Sequence, residues 1–224
     1  MTTEVPVLGE GIYTFSEARA ILAHRHSHLS ERQLRYWMDT GLTPPSYRDD
    51  RGDAVLSFLD LISLEVVGRF RSIGTSLQRV RVIEETLREF APDLERPFAY
   101  RLFYRDGATI WAKRSNEDDP LVIELLGRRS DRRHKQLAWQ DAIATFAEEI
   151  RFEGPDERAA GWELSPWVEI DPTVQFGTPI VRGTRIPVRT IEANLAAHST
   201  HEIADWYGLS EQQVEGVRDY IAVH

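Results

Sequence analysis

Arg32, Gln33, Arg35 and Tyr36 are crowded into five positions of one short stretch, Leu29 to Gly41. Their side chains are the kinds that contact phosphate oxygens and base edges. Ser30 has the chemistry of a helix N-cap, Gln33 three residues on completes a capping box, and Gly41 stands where a C-terminal cap belongs. Leu34, Trp37 and Met38 recur at i, i+3 and i+4, which gives the helix a buried side and turns the four polar groups to its other faces. By itself this is either a solvated amphipathic helix or a nucleic-acid reader.

Other chemistry is thinner. His24, His26 and His28 alternate; on a strand their rings would share a face and could hold a zinc-type ion, whereas in a loop they face DNA or solvent, the reading preferred here. Glu84-Glu85 and Glu148-Glu149 fall on expected helices, where neighbours point apart, so they read as solvated charge. Gly183-Thr184-Arg185 reads as a turn glycine with a structural arginine rather than an anion cradle. The run Arg128 to Lys135 is the densest in basic groups, either a second phosphate contact or a solvated loop. With no cysteine, disulfides, thiolate metal sites and cysteine nucleophiles are excluded. No phosphate-binding glycine loop or nucleophile elbow occurs, so no enzyme, cofactor or metal is expected.

The elements that would position the reader follow in order. Thr14 to Glu17 forms a capping box that opens a first helix through Ala23. An enlarged turn, His24 to Leu29, joins it to the second. Pro44 and Pro45 forbid helix, Asp49 to Asp53 makes a turn, and Ala54 to Ser57 returns, giving a small wing that carries Arg48 and Arg51. Helices are expected over 58–73 and 76–90. This order, with "LRYWMDTGL" and "FLDLISLEVVGRFRSIG", resembles the winged helix-turn-helix of MerR-like transcription regulators. Two departures are the long turn and the acidic wing, where Asp49, Asp50 and Asp53 weaken a phosphate grip.

Residues 93–161 read as a β-rich middle module with one helix. Strands are expected over 98–105, 108–113 and 121–126, a hairpin at Asp106-Gly107, a helix over 136–150 and a linker over 152–161. Either the module pairs two copies of the chain or it packs on the front domain. The remainder, 162–224, shows a hairpin about Gly183, a helix start near Pro187, and capping boxes at Ser199-Glu202 and Ser210-Gln213. Ala204, Gly208 and Val214 have the spacing of a tight helix-turn-helix, yet its second helix exposes Glu211, Glu215 and Asp219 against one arginine, Arg218, which disfavours phosphate. Asp171-Pro172, Phe176-Gly177, Pro179, Gly183 to Val188, Glu202 to Ala204, Tyr207, Leu209-Ser210, Val214 and Tyr220 resemble a small bacterial domain family of unknown function.

Members of that family are commonly antitoxins, and a MerR-like front joined to such a tail resembles the VapB-type antitoxins, whose partners resemble PIN-domain ribonucleases. Read together with the resemblance, the capped helix and the wing are expected to bind operator DNA through Ser30, Arg32, Gln33, Arg35, Tyr36, Arg48 and Arg51, the acidic tail to meet a toxin through Arg185, Glu211, Glu215 and Asp219, and the chain to act as a cytoplasmic homodimer. Residues 12–90 hold 11 basic and 11 acidic side chains and 162–224 hold 4 and 9, so the rear suits a basic partner while the net charge of −9 argues against attraction to DNA over the whole surface. Deleting 162–224 is therefore expected to abolish neutralisation while leaving some DNA binding. A stand-alone regulator with a ligand-sensing middle domain and a protein-binding adaptor are the alternatives. No apolar run approaches the ~18 residues needed to cross a membrane. The expected fold is α+β, mainly helical, with domains at 1–92, 93–161 and 162–224.

Overall fold

A computed structural model describes residues 10–40, 45, 47–49, 51–104 and 143–222. Its architecture is α+β: a helical front, and a four-stranded antiparallel sheet that leads into a helical rear. Helix α1, Phe15–Ala23, starts where expected. The Thr14 hydroxyl accepts from the Glu17 amide at 3.2 Å and the Glu17 carboxylate accepts from the Thr14 amide at 2.8 Å. Helix α2, Glu31–Thr40, has the same device in Ser30 and Gln33, and buries Leu34, Trp37 and Met38. Gly41 lies outside the described residues.

The wing is a two-stranded ribbon, β1 (Tyr47–Arg48) against β2 (Ala54–Val55), in which Tyr47 faces Val55. Its turn is closed by the Asp49 carboxylate, which accepts from the amides of Arg51 and Asp53 at 2.9 and 2.8 Å. Helix α3, Phe58–Ser72, is the axis of the front core; from Asp60 to Gly68 every residue is buried. Helix α4, Leu77–Phe90, packs across it through Val80, Ile83 and Leu87.

Beyond α4 the expectations change. The stretch 98–105, read as a strand, is a short 3-10 turn, Pro97–Ala99, followed by helical residues 101–104. Pro97 starts the turn, and Phe98 and Phe103 sit 4.9 Å apart at 61° in the core beside Phe70. An apolar run buried on several sides has no period that separates strand from helix. The Asp106-Gly107 hairpin, the strands at 108–113 and 121–126, the basic run and the first half of the 136–150 helix lie outside the described residues; 143–149 are helical.

The expected linker, 152–161, is instead part of a hairpin. Strand β3, Ile150–Glu153, pairs antiparallel with β4, Arg158–Ser165, around a turn with Gly154 at φ 80° and Glu157 at φ 50°. Gly154, Pro155 and Asp156 looked like a linker because a tight turn uses the same residues. Strands β5 (Val168–Ile170) and β6 (Ile180–Val181) complete the sheet in the order β3-β4-β5-β6. The division between residues 161 and 162 thus falls inside β4. Trp162 and Ile170 are in the same core as Tyr13, Phe58 and Phe70.

The rear has a smaller core of its own. Helices α5 (Val188–Leu195), α6 (Thr200–Tyr207) and α7 (Glu211–Ala222) pack Val188, Ile191, Ile203, Ala204, Val214 and Val217 against Val168 and Val181. The α6–α7 turn has the expected helix-turn-helix form: Ser199 and Ser210 carry capping boxes, and Gly208 ends α6 at φ 64°. Gly216 lets α7 approach the sheet, since a methyl group there would fall 2.0 Å from Cδ1 of Trp167.

Candidate nucleic-acid interface and acidic surface

Helix α2 presents its polar groups unevenly. Arg32, Gln33, Arg35 and Tyr36 are all exposed, with Tyr36 at 55%. Gln33 and Ser30 serve first as the cap, for the Gln33 carbonyl oxygen accepts from both the amide and the hydroxyl of Ser30 at 3.0 Å. That leaves the Gln33 amide nitrogen to donate outward. Arg35 lies over the ring of Phe15, its guanidinium carbon 4.3 Å from the centroid, so it fastens α2 to α1. Arg32 and Tyr36 are left as the outward pair, one turn apart on the same face.

On the wing, Arg48 and Arg51 are exposed. Arg48 donates to the carbonyl of Gly52 at 2.9 Å, which holds the guanidinium along the ribbon. The Asp49 carboxylate is occupied by backbone amides, so part of the wing's acidity builds its turn.

The three histidines do not share a face. His26 is 5% exposed and its Nε2 lies 3.1 Å from the Glu65 carboxylate on α3. His24 stacks on Tyr220 of α7, centroids 3.9 Å apart at 16°. His28 alone is exposed. The loop reading holds for their secondary structure but not for solvent or DNA as the neighbour of His26.

Around His26 lies a charged network that the sequence reading missed. Glu65, wholly buried, also accepts from Arg69 Nε at 2.7 Å. Arg69 reaches Glu149 at 3.4 Å, Arg25 donates to Glu149 at 2.6 Å, and the Trp162 indole N–H donates to it at 3.3 Å. Burial alone would push the Glu65 carboxyl up; the hydrogen bond and charge of His26, with Arg69 and Arg25, hold it below the usual value. Two of the carboxylates read as solvated are therefore not. Glu149 belongs to this network, and Glu84, 3% exposed, pairs with Arg88 at 3.1 Å. The available signal was a single glutamate inside the apolar run of α3.

At the rear, Glu211, Glu215 and Asp219 are exposed at successive i+4 positions and share one side of α7. Glu211 lies 2.9 Å from Nδ1 of His201, and Asp205 3.6 Å from its Nε2; Glu211 first, then Asp205, raise the imidazole pKa. Arg185 is exposed on the connection between β6 and α5. The nearby Gly183 amide donates to the Glu169 carboxylate at 2.8 Å, so the protein supplies its own anion there.

Two family models match separate parts of the chain. Residues 22–87 match the MerR HTH family regulatory protein, and residues 168–221 match a protein family of unknown function, DUF433. Proteins from Mycobacterium bovis and Mycobacterium tuberculosis, each described as an uncharacterized HTH-type transcriptional regulator, are 33% identical to this chain over 101 residues. The match covers 44% of this chain and 42% of each relative, so less than half of their length is spanned. The crystal structure of Rv2018 from Mycobacterium tuberculosis has a similar fold, with a TM-score of 0.71, 24% identity, and coverage of 97% of this chain and 99% of that one. The front is MerR-like in sequence and in the order of its elements, and no described helix is long and apolar enough to cross a membrane.

Proposed function

We propose that this protein is a homodimeric, cytoplasmic DNA-binding regulator that acts as an antitoxin, repressing its own operon and neutralising a PIN-like ribonuclease. One observation carries the DNA-reading part: a capped α2, seated on α1 and in the front core by its buried side, leaves Arg32 and Tyr36 exposed, and the wing that follows exposes Arg48 and Arg51. Arg32 and Tyr36, with the Gln33 amide nitrogen, address the major groove, and the wing arginines address backbone phosphates. Arg35 acts through its stack on Phe15, and Ser30 through the cap.

The test is binding to the DNA immediately upstream of this reading frame, at several salt concentrations. The affinity should fall linearly on a log-log plot against salt. Arg32→Ala should weaken it by about 1–3 kcal/mol if Arg32 reads a base. An intact Arg32→Ala variant with wild-type affinity removes α2 as the reader, and a wild-type chain with no salt-dependent affinity removes the DNA reading.

The antitoxin part rests on the acidic side of α7 and the charge imbalance of the rear, since a ribonuclease cleft that holds RNA is electropositive. Co-expression with the adjacent reading frames tests it. A nuclease that co-purifies with the wild-type chain should be lost from the triple variant Glu211→Lys, Glu215→Lys, Asp219→Lys. Retention by that variant moves the toxin surface elsewhere, and a solitary dimer with no nuclease beside it makes this a stand-alone regulator.

A further inference from the structure

The rear unit meets the reading head at a seam of identifiable contacts. The Ile12 amide donates to the Phe176 carbonyl at 3.1 Å and the Tyr13 hydroxyl donates to the Gly177 carbonyl at 2.9 Å. The carbonyls belong to a strained turn in which Gln175, Phe176 and Gly177 all have positive φ, at 50°, 56° and 81°. A further contact is the stack of His24 on Tyr220. It stands between two cavities. One, of about 730 Å³, opens between α1 and the rear helices and is lined by Ala20, Ile21, Val188 and Tyr220. The other, of about 360 Å³, is lined by Arg25, Trp167, Gly216 and Tyr220. Both clefts open to solvent, so the stack is a bridge across the seam between two surface grooves.

From His24 the route to α2 is short and stiff. His24 ends α1, and the amides of Arg25 and His26 both donate to the Leu22 carbonyl, at 3.1 and 2.9 Å. His26 is clamped by Glu65 and accepts through its carbonyl from the Leu29 amide at 2.9 Å. Arg19 Nε donates to the Leu29 carbonyl at 3.2 Å, and the next residue is Ser30, the cap of α2. Residues 24–30 are thus successive hydrogen-bonded turns, anchored on α1 and α3, that end on the reader helix. A displacement at His24 has little slack in which to dissipate before it reaches Ser30.

We infer that Tyr220 is a positioning residue for the reading head: through its stack on His24 it holds the 24–30 turn and so sets the angle and order of α2. The inference deepens the DNA-reading function proposed above. It places the control of that site on the helix that bears Glu211, Glu215 and Asp219, so an event on α7 is transmitted to Arg32 and Tyr36. Nothing in this link requires the rear unit to touch DNA.

Backbone amide exchange of the full chain tests the link without DNA. His24→Ala removes the stack from the front, Tyr220→Ala removes it from the rear, and Tyr220→Phe keeps the ring. Both alanine variants should accelerate exchange across residues 29–40, with Tyr220→Phe close to wild type. Exchange that quickens only beside the substituted positions, with 29–40 unchanged in both, overturns the inference. Because Tyr220 also packs on the rear core, an effect seen in Tyr220→Ala but not in His24→Ala is a stability effect and likewise overturns it. On upstream DNA the two alanine variants should lose about fivefold in affinity, the lower end of ordinary coupling between sites. If the wild-type chain does not bind that DNA while exchange still propagates, the DNA function falls and the link stands.

Discussion

Trp162→Ala is expected to lower the stability of the whole front by about 3–5 kcal/mol, the usual cost of removing a buried tryptophan. Trp162 is 1% exposed, meets Phe146 edge-on at 5.5 Å, and donates to Glu149. The substitution both opens a cavity and takes a donor from a carboxylate that already balances two arginines. A chain ending at residue 161 fares worse, because it also loses Ile170 and the second half of β4. Deletion of 162–224 therefore removes part of the front core along with the proposed toxin surface, and the DNA binding left to the truncated chain is reduced by that loss. Urea unfolding followed by circular dichroism decides the matter. A truncated chain with a wild-type midpoint would show that the front core closes without Trp162, Ile170 and the second half of β4.

Glu65→Ala should cost a comparable amount, about 3–5 kcal/mol, because it strands buried partners rather than because the pair is strongly stabilising. His26, 5% exposed, would face an empty space, and Arg69 would lose its 2.7 Å acceptor. The same carboxylate gives the protein an acid limb. Its folded pKa lies below the unfolded value, so its contribution is complete above the ordinary carboxylate range and is lost as pH falls through the folded pKa. Stability measured from pH 7 downward should decline in the wild type, and Glu65→Gln should remove part of that slope. Parallel slopes in the two proteins would show that Glu65 is not the linked group.

Both results concern groups whose importance depends on residues far away in the chain. Glu65 is 39 residues from His26, Arg25 is 124 from Glu149, and Tyr13 is 164 from Gly177. A local pattern carries no information at such separations. Periodicity therefore placed Glu65 on a helix without placing a histidine beside it, and marked Glu149 as solvated. For the same reason the stretch 98–105 read as a strand: its aromatic residues are buried by Phe70 and its neighbours, which the stretch itself does not contain.

What the sequence by itself determined is what four consecutive residues can enforce. The capping boxes at Thr14, Ser30, Ser199 and Ser210 set helix starts, because cap and partner are three residues apart and bond each other. The apolar spacing of α2 fixed which side is buried, and so which side carries Arg32 and Tyr36. Tertiary structure alone decided the fate of the apparent linker, since pairing β3 with β4 turns it into a hairpin and takes Trp162 into the front core. It also decided what the histidines of the long turn do. One is held by a buried carboxylate and one by a tyrosine from the far end of the chain. Those contacts exist only once the chain has folded back on itself, because their energy comes from desolvation and packing that no local segment can supply.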